Sequence, residues 1–275
     1  MNISITQSNG SPSRGRLSVR AIAILYLFGM ILLPLIAIAR TGFSAGLAGF
    51  WAELSNPLAA AALKLTVLSA VLITLINAFV GTMTAYVLVR YDFPGKALLD
   101  ALADACFAIP TLVTGVMLVA LLGPQTIIGT WLSGHGLQIT FAKPAILLAL
   151  LFVTYPFVIR SVQPVLLELS FDQEEAAHTI GASKWSAFRS VVLPTLAPAI
   201  LTGCLLSFAR ALGEFGSIVV VAGNIPMRTL TAPVYVFGQI ESENIRGASA
   251  VSLVLLSLSF SLMIAVDLLQ GKPKN

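Results

Sequence analysis

Charge is scarce in this chain. Asp, Glu, Lys and Arg make up 10% of its 275 residues and hydrophobic residues 57%, against about 25% and 45–50% in ordinary soluble domains. That balance excludes a soluble domain and points to an all-α, polytopic membrane protein. Only two cysteines are present, Cys106 and Cys204, each inside an apolar run, which leaves them as small packing residues and excludes a disulfide framework or thiolate metal site. Catalytic signatures are missing as well. With no Walker A motif, the chain cannot itself hydrolyse nucleotide, and with no HExxH or GxSxG it lacks the machinery of an intramembrane hydrolase. Ser133 and His135 share one loop with no acid nearby, a spacing that does not reach attack geometry. The net charge of +4 does not imply nucleic acid, because basic residues in a membrane chain mark cytoplasmic loops.

What is there is a series of apolar runs. At about 20 residues per span, the length leaves room for six transmembrane helices and little else. Residues 1–19 form a polar Ser- and Gly-rich tail with Arg14 and Arg16, expected to be disordered and cytoplasmic. An integral membrane domain covers 20–270, and 271–275 is a second cytoplasmic tail. The first span is Ala21 to Ala39. Ala37-Ile38-Ala39 has the form of a signal-peptidase site, but the apolar run exceeds the roughly 7–15 residues of a signal sequence, so the span is read as retained. Trp51 and Asn56-Pro57 place an interfacial loop next. Further spans are expected at Leu65 to Val89, Leu98 to Leu122, Pro144 to Ile159, Pro194 to Val221 and Ala248 to Leu269. The third carries Asp100 and Asp104 one turn apart, read as dipole-compensating acids with Lys96 one turn before Asp100, in preference to a metal or acid–base pair. The fourth is short and contains Pro156, which predicts a tilted or kinked span ended by Arg160.

Charge placement tests this topology. With both ends inside, Arg14, Arg16, Arg20, Arg90, Lys96, Arg160, Lys184, Arg189, Lys272 and Lys274 fall in the cytoplasm. Arg40, Lys64, Lys143, Arg228 and Arg246 fall outside, and Arg210 within a span. The bias satisfies the positive-inside rule and makes the chain a multi-pass protein of the cell (inner) membrane, embedded in the lipid bilayer.

The loop at about 168–193 is the longest stretch that reads as soluble helix. Ser170 and Gln173 form a capping box, and Asp172, Glu174 and Glu175 put negative charge in the first turn. Ala176 and Ala177 offer a close-packing face, and Gly181 is a left-handed helix stop. Ser183 caps a second short helix carrying Lys184, Trp185, Phe188 and Arg189, before Pro194 opens the next span. Such a loop meets a soluble partner. Within the fifth span, Arg210 and Glu214 lie one turn apart. An unpaired charge at mid-bilayer costs at least about 2.5–3.5 kcal/mol, so the two pair and face protein or water. They read either as a buried ion pair that fixes helix register or, with Gly213 and Gly216, as part of an anion translocation path.

Two resemblances follow from these residues. Glu175-Ala176-Ala177, Gly181 and Val191-x-Leu193-Pro194 resemble the EAA loop of bacterial binding-protein-dependent ABC importer permeases, with Val191 where Ile is more usual. Arg90-Tyr91-x-Phe93-Pro94-Gly95-Lys96, Thr154-x-Pro156-Phe157-Val158-x-Arg160, and Ser207-Phe208-Ala209-Arg210-Ala211-Leu212-Gly213-Glu214-Phe215-Gly216 followed by Ala222-Gly223-Asn224-Ile225 are similar to T-type sulfate/thiosulfate permease subunits over about residues 20–270. Ala105-Cys106-Phe107-Ala108-Ile109-Pro110 departs from the family's Leu-Pro-Phe-Ala-Leu-Pro by one lost proline. The resemblance implies a type I ABC importer permease fold and a non-catalytic transport subunit. Its implied partners are a second related permease, an ABC ATPase dimer and an extracytoplasmic sulfate-binding protein. It places no cofactor in this chain, with ATP and Mg held by the partner ATPase. The EAA helix, including Glu175, Ala176, Ala177, Gly181, Lys184, Trp185 and Pro194, would couple the ATPase to the spans. Molybdate and tungstate permeases share the Arg210–Gly216 motif but are shorter and lack the first span, and remain the alternative. A passive anion channel would need no such loop.

Overall fold

The computed structural model describes residues 14–170, 179, 181 and 183–270, and all regular structure among them is helical. The capping-box helix expected around Glu175, Ala176 and Ala177, residues 1–13 of the expected 1–19 tail, and the tail at 271–275 lie outside the described residues, while residues 14–19 begin α1. Helices α1 (Arg14–Gly42), α2 (Gly46–Leu54) and α3 (Pro57–Arg90) come first. The start of α3 is written in two residues: Asn56 Oδ1 accepts from the Leu58 N–H at 2.9 Å, and Pro57 takes the first turn, where a missing N–H costs nothing. At 34 residues α3 is about 50 Å long, so it projects well beyond a hydrocarbon core of about 30 Å. It ends before Tyr91–Gly95, where Gly95 turns the chain at φ 88°.

The third apolar segment is not one span. It is α4 (Lys96–Ala108) and α5 (Thr111–Leu122), bent by 117°. Pro110 sets this break, because its ring pushes Ile109 out of the helical region to φ −76°, ψ 123°. After α6 (Ile127–Gly134), α7 (Lys143–Glu168) corrects a second expectation, since it runs unbroken through Pro156, Arg160 and Pro164. Packing on two sides outweighs two lost hydrogen bonds: Val158, Ile159, Val162 and Leu166 are all completely buried. The helix does not end at Arg160, whose charge is paired with Asp100 and Asp104 of α4.

Next come α8 (Lys184–Ala187), a π-helical turn (Phe188–Val192) and α9 (Leu193–Leu212), which join into one continuous rod. Pro194 therefore does not open a separate helix. It has no N–H for the Ser190 carbonyl, and the preceding Leu193 N–H reaches back five residues to the Phe188 carbonyl. The fifth span also stops earlier than expected, at Leu212, and the chain restarts as α10 (Gly216–Val221). Helices α11 (Ala232–Glu241) and α12 (Ile245–Gln270) complete the fold. Among the described residues, five helices are long and apolar enough to cross a membrane, and the bent α4–α5 pair makes up to six.

Helices α3, α7 and α9 form the central bundle. Gly81 and Gly203 bring α3 and α9 onto Val158 of α7, where a Cβ on Gly203 would lie 2.7 Å from the Val158 Cα. Gly203→Ala is accordingly expected to destabilise the protein by about 1–3 kcal/mol, seen as a lowered thermal midpoint in detergent. A buried polar node crosses the middle of the bundle. Asn77 Nδ2 donates to Thr154 Oγ1 at 2.7 Å and to Ser207 Oγ at 3.1 Å, with all three residues fully buried. Apolar clusters lie on either side of it, one around Ile73, Ile146, Leu150 and Leu212 and one around Leu88, Ile159, Leu166 and Leu196. Near the α2 end, Thr66 Oγ1 accepts from the Ala232 N–H at 2.8 Å and so starts α11 against α3. Helix α1 packs on α12, and the apolar part of its surface is exposed as a lipid-facing span requires.

Candidate functional site

Two regions predicted to work together are joined by the α8–α9 rod. At its outer end the loop returns to the bundle at Gly181, which has φ 86° and open space where a Cβ would stand. Ser183 caps the next helix as expected, its Oγ accepting from the Ser186 N–H at 3.2 Å. Lys184 begins that helix, and Trp185 remains exposed at 69% while its ring stacks on Phe188 at 5.7 Å. Phe188 in turn meets Tyr86 edge-to-face at 5.4 Å. An exposed aromatic is thereby anchored through a half-buried one to the end of α3. Arg90 ties the same corner to α7 by donating to the Leu169 carbonyl at 3.1 Å.

At the inner end the rod terminates at Leu212, beside Arg210, Gly213, Glu214 and Gly216. The expected ion pair is present, with Arg210 Nη2 and Glu214 Oε2 2.7 Å apart. Its two halves differ. Glu214 is 1% exposed and its other oxygen, Oε1, accepts from both the Ser217 N–H and Oγ at 2.8 Å, whereas the Arg210 side chain is 32% exposed. The carboxylate is thus a buried anchor that starts α10 and holds a partly accessible guanidinium. Gly213 is exposed at the break itself. Gly216 lets α10 start against α5, since its Cβ would fall 2.3 Å from Thr111 Oγ1, and Gly115 approaches Ser217 in the same crossing. The two breaks, at Ile109–Pro110 and at Gly213–Phe215, therefore face each other, with the buried Thr114 on the adjoining turn of α5.

One cluster escaped the sequence reading. Asp100 and Asp104 do not pair with Lys96, which instead holds Asp92 at 2.9 Å. Both belong to Arg160: Nη1 donates to Asp100 Oδ1 at 2.7 Å, Nε donates to Asp104 Oδ1 at 2.8 Å, and Gln163 joins through its amide. The signal lay in Arg160 itself, a cation closing an apolar run with no acid near it in sequence. This clamp fixes α4 to α7 below the Pro110 break. Ser133 and His135 do not approach each other catalytically, since Ser133 Oγ donates to the Gly129 carbonyl and His135 Nδ1 contacts the Trp131 carbonyl.

A family profile described as binding-protein-dependent transport system inner membrane component matches residues 77–274. The chain is 40% identical over 250 residues to the sulfate transport system permease protein CysT of Escherichia coli (strain K12), covering 91% of this chain and 90% of that one. It is 42% identical over 246 residues to a probable sulfate transport system permease protein cysT of Chlorokybus atmophyticus, covering 90% and 86%. Among solved structures, a chain of a bacterial alginate ABC transporter complexed with its oligosaccharide-bound periplasmic protein superposes with a TM-score of 0.75 at 15% identity, over 91% of this chain and 92% of that one. The fold is that of type I ABC importer permeases.

Proposed function

Because the chain belongs to the binding-protein-dependent transport system inner membrane component family, we propose that it is the permease subunit through which an ATP-driven importer carries sulfate and thiosulfate into the cell. The carrying observation is the 40% identity to a sulfate transport permease across nine-tenths of both chains. It is a non-catalytic transport subunit. ATP and Mg are bound by an ABC ATPase dimer, a second related permease completes the pore, and an extracytoplasmic sulfate-binding protein delivers the anion. Both termini lie in the cytoplasm, which puts the Gly181 loop on the side of the ATPase.

The rod supplies the mechanism. From Trp185 to Leu212 it is continuously helical for 28 residues, about 40 Å, including the π-helical turn at Phe188–Val192. Displacement of the Glu175–Gly181 segment by a closing ATPase moves α8, is shared with α3 through Phe188 and Tyr86, and reaches the break at Gly213. There the partly exposed Arg210 meets the passing oxyanion, and Glu214 holds it in place. Deleting the chain is expected to abolish uptake of labelled sulfate in cells. In the intact system excess thiosulfate is expected to compete strongly and molybdate weakly. Normal sulfate uptake in the deletion, with molybdate uptake lost, would reassign the substrate to molybdate and tungstate.

A further inference from the structure

The end of the bundle opposite the Gly181 loop carries cations that the transport reading does not use. Lys64 of α3, Lys143 at the start of α7 and Arg228 in the 222–231 connection line one cavity of about 220 Å³. Its other walls are apolar, with Leu65, Leu68 and Leu230 among them. Among the described residues none of the three cations is in an ion pair. The α7 terminus adds to the field, having no acidic residue in its first turn and no side-chain cap on its N–H groups.

The backbone that carries Arg228 is fixed by its own turn. Arg228 sits on a turn in which Thr229 Oγ1, 2% exposed, donates to the Ala222 carbonyl at 2.7 Å and accepts from the Ile225 N–H at 3.0 Å. Asn224 and Met227 hold left-handed backbone on either side, a conformation retained only where the surroundings enforce it. The Phe141 N–H donates to the Val221 carbonyl at 2.9 Å and fastens this turn to the segment that leads into α7. Three exposed cations from three separate elements thus border one cavity, an arrangement that an anion complements.

We infer that Lys64, Lys143 and Arg228 form an extracytoplasmic site for a tetrahedral oxyanion, apart from the Arg210–Glu214 break. The ligand is either free sulfate on its way to the pore or the phosphate of an anionic phospholipid, whose glycerol edge would rest on Leu65, Leu68 and Leu230. The sidedness rests on the importer reading, and it accounts for cations placed where the positive-inside bias disfavours them.

Amine protection tests this with the complete importer. In intact cells, a membrane-impermeant acylating reagent is expected to modify Lys64 and Lys143, as read by peptide mass spectrometry. In lipid discs of phosphatidylcholine, sodium sulfate is expected to slow that modification several-fold relative to sodium chloride at equal ionic strength if the ligand is the free anion. Discs containing phosphatidylglycerol are expected to give the same protection without sulfate if it is the lipid phosphate. Arg228→Gln should erase protection in whichever arm shows it. Equal reactivity in every arm overturns the site and leaves the importer reading intact. Modification only after the cells are permeabilised overturns the orientation, and with it this inference, while sulfate uptake by the same cells reports independently on transport.

Discussion

Gly181→Pro is expected to abolish ATP-driven sulfate uptake while leaving the permease in the membrane in normal amount. Gly181 holds φ 86°, and a proline ring locks φ near −65°, so the chain cannot enter α8 along its present course. The defect is expected to stay local because, among the described residues, no atom beyond its chain neighbours lies within 4 Å of where a Cβ would stand. Nothing in the core is overpacked, and α9 remains anchored through Val192 and Leu196, both fully buried. On the proposed coupling role, what is lost is the course of the chain between the loop and α8. Gly181→Asn, which tolerates the left-handed region, should keep most of the uptake. Gly181→Ala should fall between, with a strain of about 1–2 kcal/mol. Uptake by the proline variant equal to that of the parent would sink the coupling role, and passive sulfate conduction without ATP would move the protein to the channel class.

Features governed by neighbouring residues were legible in the sequence. Gly95 turns the chain after α3 and Ser183 caps α8, both local effects, whereas Asn56-Pro57, read as part of an interfacial loop, starts α3. The Arg210–Glu214 pair was readable for the same reason, being one turn apart. What sequence periodicity missed were outcomes decided by distant packing. Pro156 looked like an interruption, yet α7 stays helical through it, packed against both α3 and α9. Pro110, in a segment with no such enclosure, breaks its helix by 117°. The same residue type thus gives opposite results, and the difference is burial. Arg160 was read without its partners Asp100 and Asp104, because they lie about sixty positions earlier. Glu214 was taken as a mid-helix residue, whereas its carboxylate serves α10 by accepting from Ser217.

Arg210 and Glu214 make the second large effect, and their asymmetry lets it be dissected. Arg210→Gln leaves a carboxylate that is 1% exposed with only Ser217 as donor. Stranding a buried charge costs about 3–5 kcal/mol, so this variant is expected to lose both uptake and much of the assembled complex. Glu214→Gln is expected to be milder, because a Gln oxygen still accepts from the Ser217 N–H and the remaining guanidinium is already 32% exposed. The double variant removes the stranded charge and should restore assembly. It separates the two roles of the pair, since an ion pair that serves only helix register is dispensable once both charges are gone. A guanidinium that the oxyanion meets in transit is not. The double variant is therefore expected to assemble, as judged by co-purification with the ATPase, and to remain silent in sulfate uptake. Parental uptake by that variant would reduce Arg210 to a counter-ion and return the anion path to the backbone around Gly213 and Gly216.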